Sequence, residues 1–581
     1  MLPTNKLMQF RLRGISIFVI LLSFLLVWRM YNLQYFQHDH FTTLAIGQQR
    51  FQKVEMAERG KIYAHDSSVD DKSYYPLAFD VKKYDIWAVP NQISNKEEVA
   101  GVLEPLLAVT KDEILSQINN NKLYIPPLKK GLSYDEAQKI VDRSISGVFV
   151  MPEYSRYYPE VTLASQVLGF VNAEGEGQYG FEGHYNDELK GKAGEVKGEK
   201  DTLGRVINLL EQKDPKDGTS YVLTISRPVQ YFVEKKLAEA MVNYQAESGT
   251  VIVMDIKTGG IVAMASLPGF DPNNYKQQAQ SDNGLFVNPA IANLFEPGSI
   301  FKPIIMGAAL DKGLVQPDTK NTFAESVNIQ GYTIHTAEGK AFGEETMTQV
   351  LQNSDNVGMV WLSGLLGEDN MYQYVQKFGF LDKTGIDLDS EGTGQTPPLK
   401  RWQDINRATV SFGQGISVTP IELVTAYAAI ANGGKYIYPH VVDKLLPDDG
   451  SETKIPKQEG QQVISQDAAN KVKEMLYNVV MNGTAKKAQV PGFRIAAKTG
   501  TAQIPNPEGP GYLDNDSKLG IYNHSAAGFA PVDEPRFAML VKLTKPQTSK
   551  YAESTSVPVF GEIASYLLNY YYRLAPTEPI N

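Results

Sequence analysis

Ser299-Ile300-Phe301-Lys302 follows Phe295-Glu296-Pro297-Gly298 and precedes an apolar run that includes Pro303, Ile304, Ile305, Met306, Ala308, Ala309 and Leu310. Residues three apart on a helix share a face, with Cβ atoms roughly 5–6 Å apart. An amine at Lys302 therefore lies within reach of a hydroxyl at Ser299. A serine hydroxyl is a weak nucleophile until a neighbour takes its proton. A helix start adds unpaired backbone N–H groups and the positive end of the helix dipole, both of which favour a developing oxyanion. Acyl transfer is the chemistry these residue types could perform, and Pro303 falls in the first turn, where its missing N–H costs little.

S-x-x-K occurs a second time, as Ser451-Glu452-Thr453-Lys454, but among Asp448, Asp449, Gly450 and Pro456 and with no apolar run behind it, which reads as a solvated connection. Three segments fit S-x-N: Ser281-Asp282-Asn283, Ser326-Val327-Asn328 and Ser354-Asp355-Asn356. Only Ser354 separates two apolar helical patterns, Thr346 to Gln352 and Val357 to Leu366, where a tight loop could aim Ser354 and Asn356 into a cleft. Three segments fit K-T-G. Lys257-Thr258-Gly259 reads as a hairpin turn between two strand-length apolar runs, and Lys383-Thr384-Gly385 as a surface turn. Lys498-Thr499-Gly500 follows Phe493 to Ala497 and runs into Thr501-Ala502, small residues suited to close approach of a substrate to an edge strand.

S-x-x-K, S-x-N and K-T-G together form a signature set of penicillin-recognising enzymes. In order, Ser299, Ser354 and Lys498 resemble the penicillin-binding protein family. Gly413-Gln414-Gly415, Thr419-Pro420, Ala426-Tyr427-Ala428, Ala431-Asn432-Gly433-Gly434, Asn482-Gly483-Thr484-Ala485 and Gly528-Phe529-Ala530-Pro531 extend the likeness. Upstream, Arg59-Gly60-Lys61-Ile62-Tyr63, Arg156-Tyr157-Tyr158-Pro159, Leu168-Gly169-Phe170-Val171 and Gly177 to Glu182 resemble the pedestal of class B, monofunctional members. The likeness covers nearly all of the chain after residue 50. One departure is Ala64-His65-Asp66-Ser67-Ser68, where the family usually has an Asp-Arg pair and a glycine.

The resemblance implies a peptidoglycan D,D-transpeptidase that cross-links stem peptides through a serine acyl-enzyme and is covalently inhibited by β-lactams. Its implied catalytic residues are Ser299, Lys302, Ser354, Asn356 and Lys498. Thr499, Gly500 and Thr501 are implied to bind substrate, and the backbone N–H groups of Ser299 and Thr501 to form the oxyanion hole. For Lys302 to act as a neutral base its pKa must fall by a few units, through desolvation or a nearby cation such as Lys498. No cofactor or metal is implied. The partner implied is a membrane-embedded glycan polymerase of the division or elongation type, since no polymerase motif occurs in the chain. Glu247-Ser248-Gly249 and Leu203 to Ile207 lean toward the division type and septal synthesis. A D,D-carboxypeptidase or β-lactamase-type hydrolase, or a non-enzymatic penicillin sensor or divisome scaffold, stays open as an alternative.

These motifs need a scaffold and a compartment. Ile15 to Trp28 is apolar apart from Ser16 and Ser23, and Lys6, Arg11 and Arg13 precede it without an acid between them. Phe10, Leu12, Met30 and Leu33 lengthen it toward a full span. No small-x-small cleavage site follows, which favours an uncleaved anchor over a signal peptide. The flanking charges place the amino terminus in the cytoplasm and the catalytic part outside. The chain has 581 residues, a net charge of −10 and no cysteine, which excludes disulfide and thiolate chemistry. The acidic balance argues against nucleic acid as a partner, and the seven histidines show no zinc-holding spacing. The expected organisation is a cytoplasmic tail (1–13), a transmembrane anchor (14–34), an elongated mixed α+β pedestal (35–225), a transpeptidase domain (226–575) and a tail (576–581). Periodicity alone gives only α+β, with an antiparallel sheet and helices. The resemblance makes the catalytic part a penicillin-binding, β-lactamase-like fold that ends the chain.

Overall fold

The computed structural model describes residues 4–42, 50–66, 73–119, 125–200, 206–280, 283–337, 339–447, 451–454, 458, 460–509, 511–515 and 517–576. Two compact units emerge, one made of 1–58 and 191–217, the other of 59–190 and 218–581. The segment 35–225, expected as one domain, is thus divided between them. Ser67 and Ser68 of the departing pedestal motif, Leu203 to Arg205 and the first two residues of the S-x-N copy at 281 lie outside the described residues.

In the first unit a helix runs from Thr4 to Tyr31. Apolar side chains surround it, and from Met8 onward every described residue of it is exposed. An apolar helix with no buried stripe suits hydrocarbon rather than a protein core. The same unit holds an antiparallel three-stranded sheet of Arg50–Glu55, Gly194–Lys200 and Val206–Lys213.

The second unit begins at Arg59, and a buried ion network organises its amino-terminal part. Glu182 is fully buried and receives Arg59 Nε at 2.7 Å and Arg156 Nε at 2.7 Å. Asp80 accepts from Arg156 Nη1 at 3.2 Å and from the Arg59 backbone at 2.9 Å. Burial alone would raise the Glu182 carboxyl; Arg156 and Arg59 more than reverse this and hold it below the usual carboxylate range. Three pedestal motifs far apart in sequence thus meet at one charge cluster. Ser220–Ser226 lies parallel to Ile62–His65 and antiparallel to Val442–Leu446, so a single sheet takes strands from both sides of the expected boundary at 225. At the departing motif, buried His65 faces Asp443 at 3.3 Å and Asp66 pairs with Arg227 at 3.2 Å. The second S-x-x-K copy is less of a loop than expected: Thr453–Lys454 forms a short exposed strand against Val442–Leu446.

The catalytic part is built on a five-stranded antiparallel sheet, with β1 Ser248–Asp255, β2 Ile261–Leu267, β3 Ala496–Gln503, β4 Tyr522–Ala530 and β5 Phe537–Thr544, in the order β2-β1-β5-β4-β3. β1, β4 and β5 are buried along nearly their whole length, which requires cover on both faces. Helices Arg227–Tyr244 and Ser556–Tyr566 supply part of it. The helical portion includes α1 Lys302–Asp311, α2 Met347–Gln352, α3 Asn356–Leu366, α4 Pro420–Ala431 and α5 Gln466–Asn482. All twelve residues of α4 are buried, and α4 packs on β1, β4 and β5 as the hub of the core. Its start is fixed by a capping box, in which Thr419 Oγ1 accepts from the Glu422 N–H and Glu422 accepts from the Thr419 N–H.

Removing one member of a buried ion cluster leaves the others uncompensated. Glu182→Ala, which strands Arg59 and Arg156, is expected to cost about 3–5 kcal/mol, read as a fall in the urea midpoint. A midpoint equal to the wild type would show that the cluster does not hold this region together.

Candidate active site

The chain reaches Ser299 through a 3-10 turn, Gly298–Phe301, that continues directly into α1. Residues i and i+3 eclipse in 3-10 geometry, which stacks Ser299 and Lys302 more tightly than an α-turn would. Pro303 sits in the first turn of α1, as its fixed φ favours. Neighbouring segments clamp this turn. Gly298 N–H donates to Gly413 O at 2.9 Å, Phe295 pairs with Val418, and Glu296 Oε1 accepts from Gly415 N–H at 2.9 Å while its Oε2 accepts from Tyr512 OH at 3.0 Å. From α4, Tyr427 OH donates to Ile300 O at 2.7 Å.

Two close approaches depend on glycine. Gly298 has φ +59°, and a Cβ there would stand 2.9 Å from Ala502 Cβ on β3. A Cβ on Gly500 would stand 2.4 Å from Ser525 Oγ and 3.1 Å from both Ile300 Cγ2 and Pro297 O. The small residue in K-T-G therefore lets β3 lie against the Ser299 turn, a packing reason beside the expected substrate approach. β3 runs from Ala496 to Gln503, so Lys498, Thr499 and Thr501 are all held in register against β4. β3 is also the sheet's edge, which leaves part of its backbone unpaired by strands.

Ser354 occupies the turn between α2 and α3 with φ +55°, a left-handed conformation that costs an L-residue roughly 1–2 kcal/mol. That turn brings the three motifs together. Lys302 Nζ donates to Ser354 O at 2.6 Å, to Asn356 Oδ1 at 2.7 Å and to Ser354 Oγ at 3.2 Å. Lys498 Nζ donates to Ser354 Oγ at 2.9 Å and lies 3.3 Å from Thr499 O. Both lysines are fully buried. Burial lowers the Lys302 amine to about 7, against the raising influence of Asp355 and Glu345. Burial and then the Lys302 charge push Lys498 well below its ordinary value. Of the two expected routes, desolvation or a nearby cation such as Lys498, desolvation is the one that lowers Lys302.

Among the described residues no hydrogen bond joins Ser299 Oγ to Lys302 Nζ; the half-buried Ser299 hydroxyl is left for an incoming group. Such catalytic contacts commonly tighten only on substrate binding. Asn356 Nδ2 donates one N–H to His335 O at 3.0 Å and keeps a second. Thr499 Oγ1 is 2.8 Å from Thr484 Oγ1, and Thr501 Oγ1 accepts from Ala552 N–H at 3.1 Å, which orients both hydroxyls. The other motif copies serve local structure. Thr258 caps back to Asp255 in the β1–β2 turn, Thr384 bonds Glu391, and Ser326 lies in a hairpin strand that pairs with Tyr332–His335. Sequence reasoning did not assign Tyr427, Glu296, Tyr512 or Thr484 to the site. Tyr427 sits in an apolar helix pattern, and Glu296 and Tyr512 acquire meaning only once the chain folds back on itself.

The strained turn gives a test that separates conformation from chemistry. Ser354→Ala and Ser354→Gly both delete the hydroxyl shared by the lysines, but glycine takes φ +55° without the steric cost. Ser354→Gly is expected to be about 1 kcal/mol more stable than Ser354→Ala, measured as a difference in unfolding midpoints. Equal midpoints would mean that the turn carries no strain.

The penicillin binding protein transpeptidase domain matches residues 249–565, and the penicillin-binding protein dimerisation domain matches residues 54–223. Stage V sporulation protein D of Bacillus subtilis is 31% identical over 569 residues, covering 96% of this chain and 85% of that protein. Peptidoglycan D,D-transpeptidase FtsI of Escherichia coli is 32% identical over 509 residues, covering 86% of this chain and 82% of that protein. Among solved structures, a peptidoglycan synthetase from Bifidobacterium adolescentis superposes with a TM-score of 0.73 at 27% identity, covering 92% of this chain and 99% of that one. Penicillin binding protein 3 of Mycobacterium tuberculosis, complexed with aztreonam, gives 0.70 at 26% identity, covering 91% and 99%. With both domains matched and the three motifs converging on one hydroxyl, the chain belongs to the class B penicillin-binding proteins.

Proposed function

We propose that this protein is a serine-type peptidoglycan D,D-transpeptidase in which Ser299 carries the acyl group and Lys302 is its base. The observation that carries the reading is the convergence on Ser354 Oγ of Lys302 Nζ, whose residue lies one turn along from Ser299, and of Lys498 Nζ. Neutral Lys302 takes the Ser299 Oγ proton as the oxygen adds to the penultimate D-alanyl carbonyl of a stem peptide. Backbone N–H groups of Ser299 and Thr501 receive the oxyanion; in other acyl-transfer enzymes the loss of one such donor costs about 3–4 kcal/mol. Collapse breaks the peptide bond, and Ser354, in contact with Lys302, relays the proton to the departing D-alanine amine. Lys498, whose charged form burial disfavours, regains that charge as the substrate's terminal carboxylate binds beside it, Thr499 and Thr501. Asn356 fixes Lys302 through Oδ1 and offers its remaining N–H to a substrate amide. An amine from a neighbouring stem peptide then attacks the Ser299 ester; Lys302 takes the attacking amine's proton and hands it to Ser299 Oγ as the ester bond breaks, which frees the enzyme and makes the cross-link. A β-lactam acylates the same oxygen, but its leaving nitrogen stays tethered and blocks the second attack.

The apolar helix Thr4–Tyr31 serves as a single-pass anchor with its amino terminus in the cytoplasm and the catalytic part outside, in accord with Lys6, Arg11 and Arg13 preceding the span. A membrane-embedded glycan polymerase of the division or elongation type supplies the strands to be cross-linked, with the septal role favoured.

Fluorescent penicillin is expected to label the wild type and not Ser299→Ala. Equal labelling of the variant would end the assignment of the nucleophile. Donor peptide incubated with an acceptor amine should yield cross-linked product, whereas hydrolysed donor alone would point to a carboxypeptidase. Because Lys302 acts as a base only when neutral and is lowered to about 7, the acylation rate should rise with pH through that value. Below it the rate should fall about tenfold per pH unit. A rate independent of pH between about 5 and 8 would contradict a lysine base.

A further inference from the structure

Two buried carboxyl groups lie behind the Ser354 turn, and the mechanism above does not use them. Glu345, on the strand Gly343–Thr346, is 2% exposed, and Asp355 is fully buried. Glu345 Oε1 accepts from Asn353 Nδ2 at 2.7 Å, and Asp355 Oδ1 accepts from the Val357 N–H at 2.8 Å, capping α3. The remaining oxygens, Glu345 Oε2 and Asp355 Oδ2, are buried and receive no donor among the described residues. The two side chains are within hydrogen-bonding reach of each other. Two bare carboxylates so placed repel, whereas a single proton between them satisfies both orphaned oxygens.

We propose that Glu345 and Asp355 share one proton and form a positioning pair that holds the Ser354–Asn356 turn at a single negative charge and so keeps Lys302 able to become neutral. This rests on the reading of Lys302 as the base. Asn353 and Asp355 flank Ser354, and Ser354 O, Ser354 Oγ and Asn356 Oδ1 are the acceptors that hold the Lys302 amine. The pair therefore orients the turn that orients the base. Electrostatically, Lys302 is the cation that acts on Glu345, and Asp355 and Glu345 are the anions that act on Lys302. Across the strand pair, Asn321 stands opposite Glu345, while Lys320 and Glu344 pair with each other at 2.9 Å on the exposed side. His335 is exposed and contributes only its carbonyl to Asn356. Burial first, and then the Asp355 carboxyl, raise Glu345 to about 7, against the Asn353 bond and the Lys302 charge. The sign follows. With its proton the pair carries one negative charge. On losing it the pair carries two, which favours the Lys302 ammonium and opposes base catalysis, so the two titrations broaden one another.

Glu345→Gln preserves the acceptor for Asn353, donates an amide N–H to Asp355 Oδ2 and fixes the pair at one negative charge. The expected result is a pH profile of penicillin acylation that rises more steeply, with its midpoint lowered by about half a unit or more. Asp355→Asn keeps the helix cap and fixes the same charge from the other side, so it should shift the midpoint in the same direction. A midpoint unmoved in whichever variant folds, even with slower acylation or a lower Tm, assigns the pair a merely structural role and overturns the proposal. Infrared spectra of the wild type minus those of Glu345→Gln, both without penicillin, read the shared proton without any catalysis, since the subtraction removes the band of Glu422, which burial also raises to about 7. A buried carboxylic acid band is expected in the difference just below neutral pH, and its absence overturns the proposal. If the wild type failed to acylate at any pH, the base assignment would fall, while the infrared band would still report on the pair.

Discussion

Two amines from distant parts of the chain are buried on one serine hydroxyl, and the rest of the catalytic part exists to make that arrangement tolerable. Charged ammonium groups lose heavily on leaving water, so neither Lys302 nor Lys498 keeps its ordinary proton affinity. Burial brings the neutral form of both amines within reach, and a carboxylate arriving beside Lys498 would favour its charged form again. The other motif residues, Ser299, Ser354, Asn356, Thr499 and Thr501, present only hydroxyls and an amide.

Holding the amines there requires contacts between strand and turn that are too close for ordinary side chains. Gly298 and Gly500 remove the atoms that would keep β3 from the Ser299 turn. Tyr427, rooted in a helix with no exposed residue, anchors the carbonyl of Ile300. Glu296 ties the same turn both to Gly415 and to Tyr512. Ser354 stands in a left-handed conformation that its neighbours impose, a local strain offset by the packing around it. The capped starts of α2, α3 and α4 make those neighbours stiff enough to do so.

The electrostatic setting extends one layer deeper than the lysines. Glu345 and Asp355 oppose the fall of the Lys302 pKa, so the strength of the base reflects a balance between burial and buried negative charge. Away from the site, the Arg59–Glu182–Arg156 cluster uses buried charge for architecture, with each ion compensated by geometry.

The order of motifs along the chain identified Ser299, Ser354 and Lys498, because context excluded rival copies: no apolar run follows Lys454, and turn glycines surround Lys257. The apolar anchor helix and the helix Lys96–Leu107 were equally legible, since their signals are local periods of side-chain type. Other features lay beyond reach because they arise between segments. The pairing of Thr499 and Thr501 with β4 has no local signal, because these residues acquire their burial only when β4 lies beside them. That strands on both sides of residue 225 share a sheet was hidden, because pairing among residues 62, 220 and 442 leaves no trace in any one of those segments. Tyr427, Thr484 and the Glu345–Asp355 pair follow the same rule. Sequence alone determined which chemical groups the protein owns and the helices and strands that carry them. Only tertiary structure decided which groups are deprived of water together, and the reactivity of an amine or a carboxyl depends on that shared loss of solvent.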